Sequence, residues 1–144
     1  MATATKDDLK HWTLEIVNSI NTRDLLTPVS RYASPDYSYE NTEDDGSILK
    51  VNASDMMRLR DMYFKNLSPD VFADVKSTEV HIDWHLRSAT VWVGLVVHND
   101  ARGVLRERMN IFYWRLEKGA DGREKWVWWK EHTSAGFAPQ ADAG

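Results

Sequence analysis

The residues of this chain best suited to moving a proton are carboxyls set among aromatic and apolar neighbours. Glu131 lies in the run Trp126-Val127-Trp128-Trp129-Lys130-Glu131-His132, where strict alternation sends it to the same side as Trp129. A carboxyl beside an indole in an apolar cavity has a raised pKa and can act as acid or base; the other reading places Glu131 at an open, solvated rim. Glu40 ends the alternating segment Asp36-Tyr37-Ser38-Tyr39-Glu40, and a one-residue slip in so short a strand would reverse its direction. Glu107, between Arg106 and Arg108 near a turn, reads as a surface ion pair. His81-x-Asp83-x-His85 sets three potential ligands on one strand face. Neighbouring positions of one strand seldom close a metal site alone, so a polar outer face is the simpler reading and no metal is expected. No glycine-rich phosphate loop and no Gly-x-Ser-x-Gly turn occurs, which leaves acid–base chemistry without a cofactor.

The elements that must position these groups follow from periodicity. Leu9, Trp12, Ile16 and Ile20 recur at helical spacing, and Thr5 with Asp8 forms a capping box, so a helix is predicted over 6–21. Thr27-Pro28 opens a short second helix over 28–33 that carries Val29 and Tyr32 inward. A short strand over 36–40 and an acidic turn over 41–47 come next. Ser54 then caps a third helix with Met56, Leu59, Tyr63 and Leu67 on one face, stopped before Pro69; Arg58 and Arg60 read as its solvent side. Period-two segments over 78–86, 89–98, 104–117 and 125–134 are strands, joined at Arg87-Ser88, 99–103 and 119–122. Helices followed by an antiparallel meander make an α+β layout, the helices covering one sheet face. The expectation is one domain over 1–134 and a flexible tail over 135–144.

Alternation divides the strands into two faces. Val80, Ile82, Trp84, Leu86, Val91, Val93, Leu95, Val97, Leu105, Met109, Ile111, Tyr113, Val127 and Trp129 form an aliphatic set expected to meet the helices. The other set mixes His81, Asp83 and His85 with Trp92, His98, Arg106, Arg108, Asn110, Phe112, Trp114, Trp126, Trp128, Lys130 and His132. Aromatic residues and arginine are enriched in protein contacts. Trp92, Trp114, Trp126 and Trp128 therefore read as a homodimer face, the plainer alternative being an exposed sheet with cations lying over Trp. In this division Glu131 is the main acid or base, Tyr113 donates a hydrogen bond to developing oxygen charge, and Glu40 is a second carboxylate near the mouth. Trp12, Tyr63, Met109 and Trp129 shape the pocket walls.

With 144 residues and a formal charge of −4, the chain is long enough for a real core and lacks the net basic face of a nucleic-acid groove. The absence of cysteine excludes disulfides, thiolate metal sites and thiol nucleophiles. No signal-peptide pattern opens the sequence and no apolar run reaches the roughly 20 residues of a membrane helix. A cytoplasmic protein is the expectation, with the sequons at Asn52 and Asn66 as chance matches.

Ile20-Asn21-Thr22-Arg23-Asp24, then Tyr32-Ala33, then Glu40 resembles the early stretch of ketosteroid isomerases, and the strand 126–132 resembles the last strand of that group. With the order of elements, this likens the chain to the nuclear transport factor 2-like superfamily, in its SnoaL-like and ketosteroid-isomerase-like branch. The resemblance implies a cone of three helices on a strongly curved sheet, and puts Glu40 where the isomerases keep their proton-moving carboxylate. Two departures matter: the helix-1 tyrosine of those enzymes falls at Ile16, and no acid stands near Asn110 for the second oxyanion donor, so a steroid substrate is not implied. The chain is similar instead to small fungal isomerases, polyketide cyclases and semipinacolases. That likeness implies a cofactor-free rearrangement of a hydrophobic intermediate, with a dehydratase or a non-catalytic binding module as alternatives.

Overall fold

The structure, a computed structural model, describes residues 5–43, 45–100 and 105–135. Helix α1 (Lys6–Thr22) begins with the expected capping box: the Thr5 hydroxyl accepts from the Asp8 N–H at 3.2 Å, and the Asp8 carboxylate accepts from the Thr5 N–H at 3.0 Å. Helix α2 (Leu26–Tyr32) starts earlier than expected, and Thr27 is not its cap. The Asp24 carboxylate instead accepts from the Thr27 N–H at 3.1 Å and from its hydroxyl at 2.7 Å.

Strand β1 (Ala33–Thr42) is twice the length of the expected one and contains Pro35. Proline is tolerated because pairing with the last strand is interrupted between Ala33 and Ser38, where no ladder N–H is needed. The acidic segment turns at Gly46, whose φ of 87° suits glycine, and continues into an unanticipated strand, β2 (Ile48–Asn52). This edge strand pairs only with β1 and is mostly exposed, so burial imposes no alternation for a pattern to reveal. Asn52, not Ser54, caps helix α3 (Ala53–Met62), accepting from the Asp55 N–H at 2.8 Å. A wider π-helical turn over Tyr63–Leu67 ends it, and Leu67 lies exposed rather than on the buried face.

Strands β3 (Phe72–Asp83), β4 (Ser88–His98), β5 (Arg106–Lys118) and β6 (Glu124–Ala135) form the expected antiparallel meander. The whole sheet has the order β2-β1-β6-β5-β4-β3, and β1 runs parallel to β6, so the sheet is mixed rather than wholly antiparallel. Ala135 belongs to β6; the rest of the expected tail lies outside the described residues. Among the described residues no helix is long and apolar enough to cross a membrane.

The two faces of the sheet do not divide as alternation suggests. On β4 the expected set, Val91, Val93, Leu95 and Val97, is buried. On β5 the parity is the reverse: Asn110, Phe112 and Trp114 are buried, whereas Met109 is exposed and Ile111 and Tyr113 are only half-buried. On β6 a bulge changes parity midway, because Tyr113 pairs with Lys130 but Trp114 pairs with Trp128. Trp129 is the extra residue, so Trp126, Trp128, Glu131 and Thr133 are all buried on one strand.

Trp114, Trp126 and Trp128 are therefore core residues, which removes them from any dimer face; of the four proposed contacts only Trp92 is exposed. Trp114 packs against Trp12 and Tyr32 with ring centroids 5.9 and 5.7 Å away, and its indole N–H donates to the Thr13 hydroxyl at 3.1 Å. Trp128 packs on Tyr37 at 4.4 Å and on Phe112 at 6.0 Å.

Candidate functional site

The β5 parity and the β6 bulge together put a polar group into the core. Glu131 is fully buried and pairs across the sheet with Phe112 on one side and Tyr39 on the other. Its Oε2 accepts from Arg60 Nη2 at 3.2 Å and from Asn110 Nδ2 at 3.2 Å, with a longer contact from the Thr133 hydroxyl at 3.5 Å. Its Oε1 faces the Tyr37 hydroxyl at 3.4 Å.

Burial pushes the Glu131 carboxyl above its usual range, against the opposing pull of Arg60, Tyr37 and Thr133. Burial alone would make Arg60 less basic, but the adjacent Glu131 outweighs it and holds the guanidinium more firmly protonated than usual. The Tyr37 phenol is pushed well up, by burial first and by the Glu131 charge second. The carboxyl and the guanidinium thus meet in a low-dielectric interior, where each member depends on the other.

Above this pair opens a cavity of about 290 Å³ between α3, the end of α1 and the mouth of the sheet, at the small end of ligand-pocket sizes. Arg60, Asn110 and Thr133, three of the four partners of Glu131, belong to its wall. Tyr39, Tyr63 and Arg108 add polar groups, and Met56, Leu59, Phe64 and Leu95 supply apolar surface. Glu131 itself does not reach the wall; it lies one layer beneath, screened by its own hydrogen-bond donors.

Of the residues proposed from sequence, Glu131 and Tyr63 are placed at or against this cavity. The others are not. Glu40 points to the opposite face, where it meets His132 Nδ1 at 3.4 Å, Lys130 Nζ at 3.6 Å and Lys50 Nζ at 4.0 Å. Tyr113 lies on that face too, 5.0 Å from Lys130 Nζ and 5.9 Å from the Trp129 ring, its phenol pushed up by burial and then by Glu40. Trp129 faces outward because it is the bulge residue. Met109 lines a second depression with Lys76 and Glu107 that shares Leu95 and Arg108 with the cavity, and Trp12 packs in the core beside Tyr32 and Trp114. Among the described residues no group of three or more His, Asp or Glu side chains converges as metal ligands.

No protein-family model matches the sequence, and no curated protein does. Solved structures match along most of the chain. An uncharacterised Caulobacter vibrioides protein with a cystatin-like fold is 13% identical, with a TM-score of 0.70 over 95% of this chain and 92% of the other. A nuclear transport factor 2-like protein of unknown function from Pseudomonas putida is 14% identical, with a TM-score of 0.68 over 98% and 93%. The S. rosetta CaMKII hub is also 14% identical, with a TM-score of 0.68 over 94% and 100%. The chain has the nuclear transport factor 2-like fold.

That fold is shared by proteins with different roles. A Shewanella frigidimarina protein provisionally assigned as a ketosteroid isomerase matches with a TM-score of 0.61 and 14% identity over 86% of this chain and 92% of its own, alongside the hub. A fold of this kind places a cavity and leaves its chemistry to the side chains. In this nuclear transport factor 2-like cone Arg60, Arg108 and Asn110 line the cavity, whereas periodicity alone puts Arg60 on the solvent side of α3 and Arg108 and Asn110 on the sheet face read as a dimer contact. A signal for Arg60 existed: it stands four residues after Met56 and three before Tyr63, within the stripe that faces the sheet. For Arg108 and Asn110 the signal was the company of Phe112 and Trp114 at the same parity.

Proposed function

We propose that the chain is a cofactor-independent isomerase or cyclase that rearranges a hydrophobic secondary-metabolite intermediate by acid–base catalysis in the cone. The observation that carries this reading is the buried Glu131 carboxyl, raised in pKa and held by three residues of the cavity wall. A ligand group that engages Arg60 draws the guanidinium off Glu131. The carboxylate then loses its counter-charge, becomes a stronger base, and is uncovered toward the cavity. The apolar wall fixes the ligand's conformation while one proton moves. Here Glu131 is the proton-handling residue and Tyr63 shapes the wall, as the sequence suggested. Glu40, Tyr113, Met109, Trp129 and Trp12 take no part.

The full burial of Glu131 favours a second reading, a ligand-binding or assembly module without turnover, and hub proteins share the fold. Deletion of the gene, followed by mass spectrometry with chiral separation of extractable metabolites, separates the two. Loss of one product with gain of an isomer of equal mass is the expected result. A precursor heavier by one water would identify a dehydratase, and an unchanged profile would overturn the enzyme reading.

A further inference from the structure

The charge of the cavity wall is out of keeping with the rest of the chain. The protein carries a formal charge of −4, yet no carboxylate is among the residues lining the cavity and two arginines are. Arg60 is balanced by Glu131 from below. The Arg108 side chain, two residues before Asn110 on the same face of β5 and shared with the neighbouring depression that Glu107 also lines, makes no ion pair or hydrogen bond among the described residues. With Arg60 paired to Glu131, Arg108 is left as a single positive charge without a counter-charge among the described residues, in a mostly apolar recess.

A second polar group in the wall also lacks a partner. Asn110 is 5% exposed and spends its amide N–H on Glu131, while its Oδ1 is buried without a hydrogen bond. The Oδ1 of Asn41, another wall residue, is in the same state. Neither oxygen has surface open to the cavity, so an O–H or N–H of a ligand reaches them only if the wall side chains shift on binding.

We propose that the cavity selects a monocarboxylate ligand that also carries a hydroxyl or N–H group. Arg108 anchors the carboxylate, and Asn110 Oδ1, with Asn41 Oδ1, accepts from the neutral donor. A guanidinium fork matches a carboxylate through two parallel hydrogen bonds, and one unbalanced charge suits a monoanion. The inference deepens the reading of the cone as a small-molecule site, because it names the substrate class as an acidic, hydroxylated or amino-bearing apolar molecule.

The test uses 4-hydroxyphenylacetate and its uncharged counterpart 4-hydroxyphenylacetamide, titrated into the full-length protein and followed by NMR of backbone and arginine side-chain resonances. The acid is expected to bind at least tenfold more tightly than the amide and to shift resonances of Arg108 and Asn110. Arg108→Gln is expected to bring the two affinities within twofold of each other while leaving that of the amide unchanged. Because Arg108 has no partner among the described residues, this variant should fold as the wild type does, which circular dichroism checks. Equal binding of acid and amide, no saturable shift with either, or a preference that survives Arg108→Gln each overturns the proposal. The outcome is separate from turnover: an unchanged metabolite profile with a preserved acid preference removes the enzyme reading alone, and catalysis without the preference removes this one alone.

Discussion

The Arg60–Glu131 pair gives the most quantitative prediction. The Arg60 side chain is 19% exposed and that of Glu131 1%, so removing one partner strands a charge in the interior. Breaking such a pair costs about 3–5 kcal/mol, which for a chain of this size lowers the melting temperature by roughly 10–15 °C. Arg60→Leu should show this loss at pH 8. The pH dependence identifies its cause. The native Glu131 carboxyl already lies above its ordinary value of 4.5, so the native state holds this proton at pH values where the unfolded chain has released it. Its contribution to stability is fully present below the unfolded pKa and falls as pH rises through the native one. Loss of Arg60 raises the native pKa further, which extends and deepens that fall. Urea unfolding followed by tryptophan fluorescence should therefore find the variant within about 1 kcal/mol of wild type near pH 4.5 and the full deficit at pH 8. The double variant Arg60→Leu/Glu131→Leu should recover more than half of the loss at pH 8. A deficit under about 1 kcal/mol at pH 8, or one equal at both pH values, would refute the buried-pair account.

Three further outcomes follow from the same geometry. Trp114→Phe should cost about 1–3 kcal/mol more than Trp128→Phe by urea unfolding, because it leaves the buried Thr13 hydroxyl without its indole donor, whereas the Trp128 N–H has no partner to lose. Glu40→Gln should change stability by less than about 1 kcal/mol and the change should shrink in 0.5 M salt, since its cations lie on the outer face. Trp128→Glu should unfold the protein rather than separate subunits; if the chain self-associates through its outer sheet face, Trp92→Glu is the variant that lowers the mass seen by light scattering.

The order of elements was legible in the sequence because long periodic segments report burial directly. The Thr5–Asp8 box and the β4 set Val91, Val93, Leu95 and Val97 are examples. Side-chain direction on β5 and β6 was not legible, for two physical reasons. Both parities of β5 carry large apolar residues, so Met109-Ile111-Tyr113 and Asn110-Phe112-Trp114 compete on equal terms, and Trp114 enters the core by finding a buried acceptor in Thr13. The bulge at Trp129 adds one residue to β6, which pattern reading cannot detect because it requires the register with β5. Glu131 was placed inward by an argument that tied it to Trp129, and it is inward although Trp129 is not. Arg60 and Asn110 were misplaced because a polar residue on a core face is recognisable only together with its partner, which lies 71 residues away for Arg60 and 21 for Asn110, while Arg108 has no partner among the described residues that could reveal it.

The central claim is that Glu131 handles a proton for a ligand held in the cone. It is tested most directly by adding purified protein to the small-molecule extract of a strain lacking the gene and following the mixture by chiral chromatography and mass spectrometry. The account predicts that the wild type converts one component into an isomer of equal mass, and that Glu131→Gln, folded by circular dichroism, does so at least tenfold more slowly. Conversion at the wild-type rate by Glu131→Gln would contradict it.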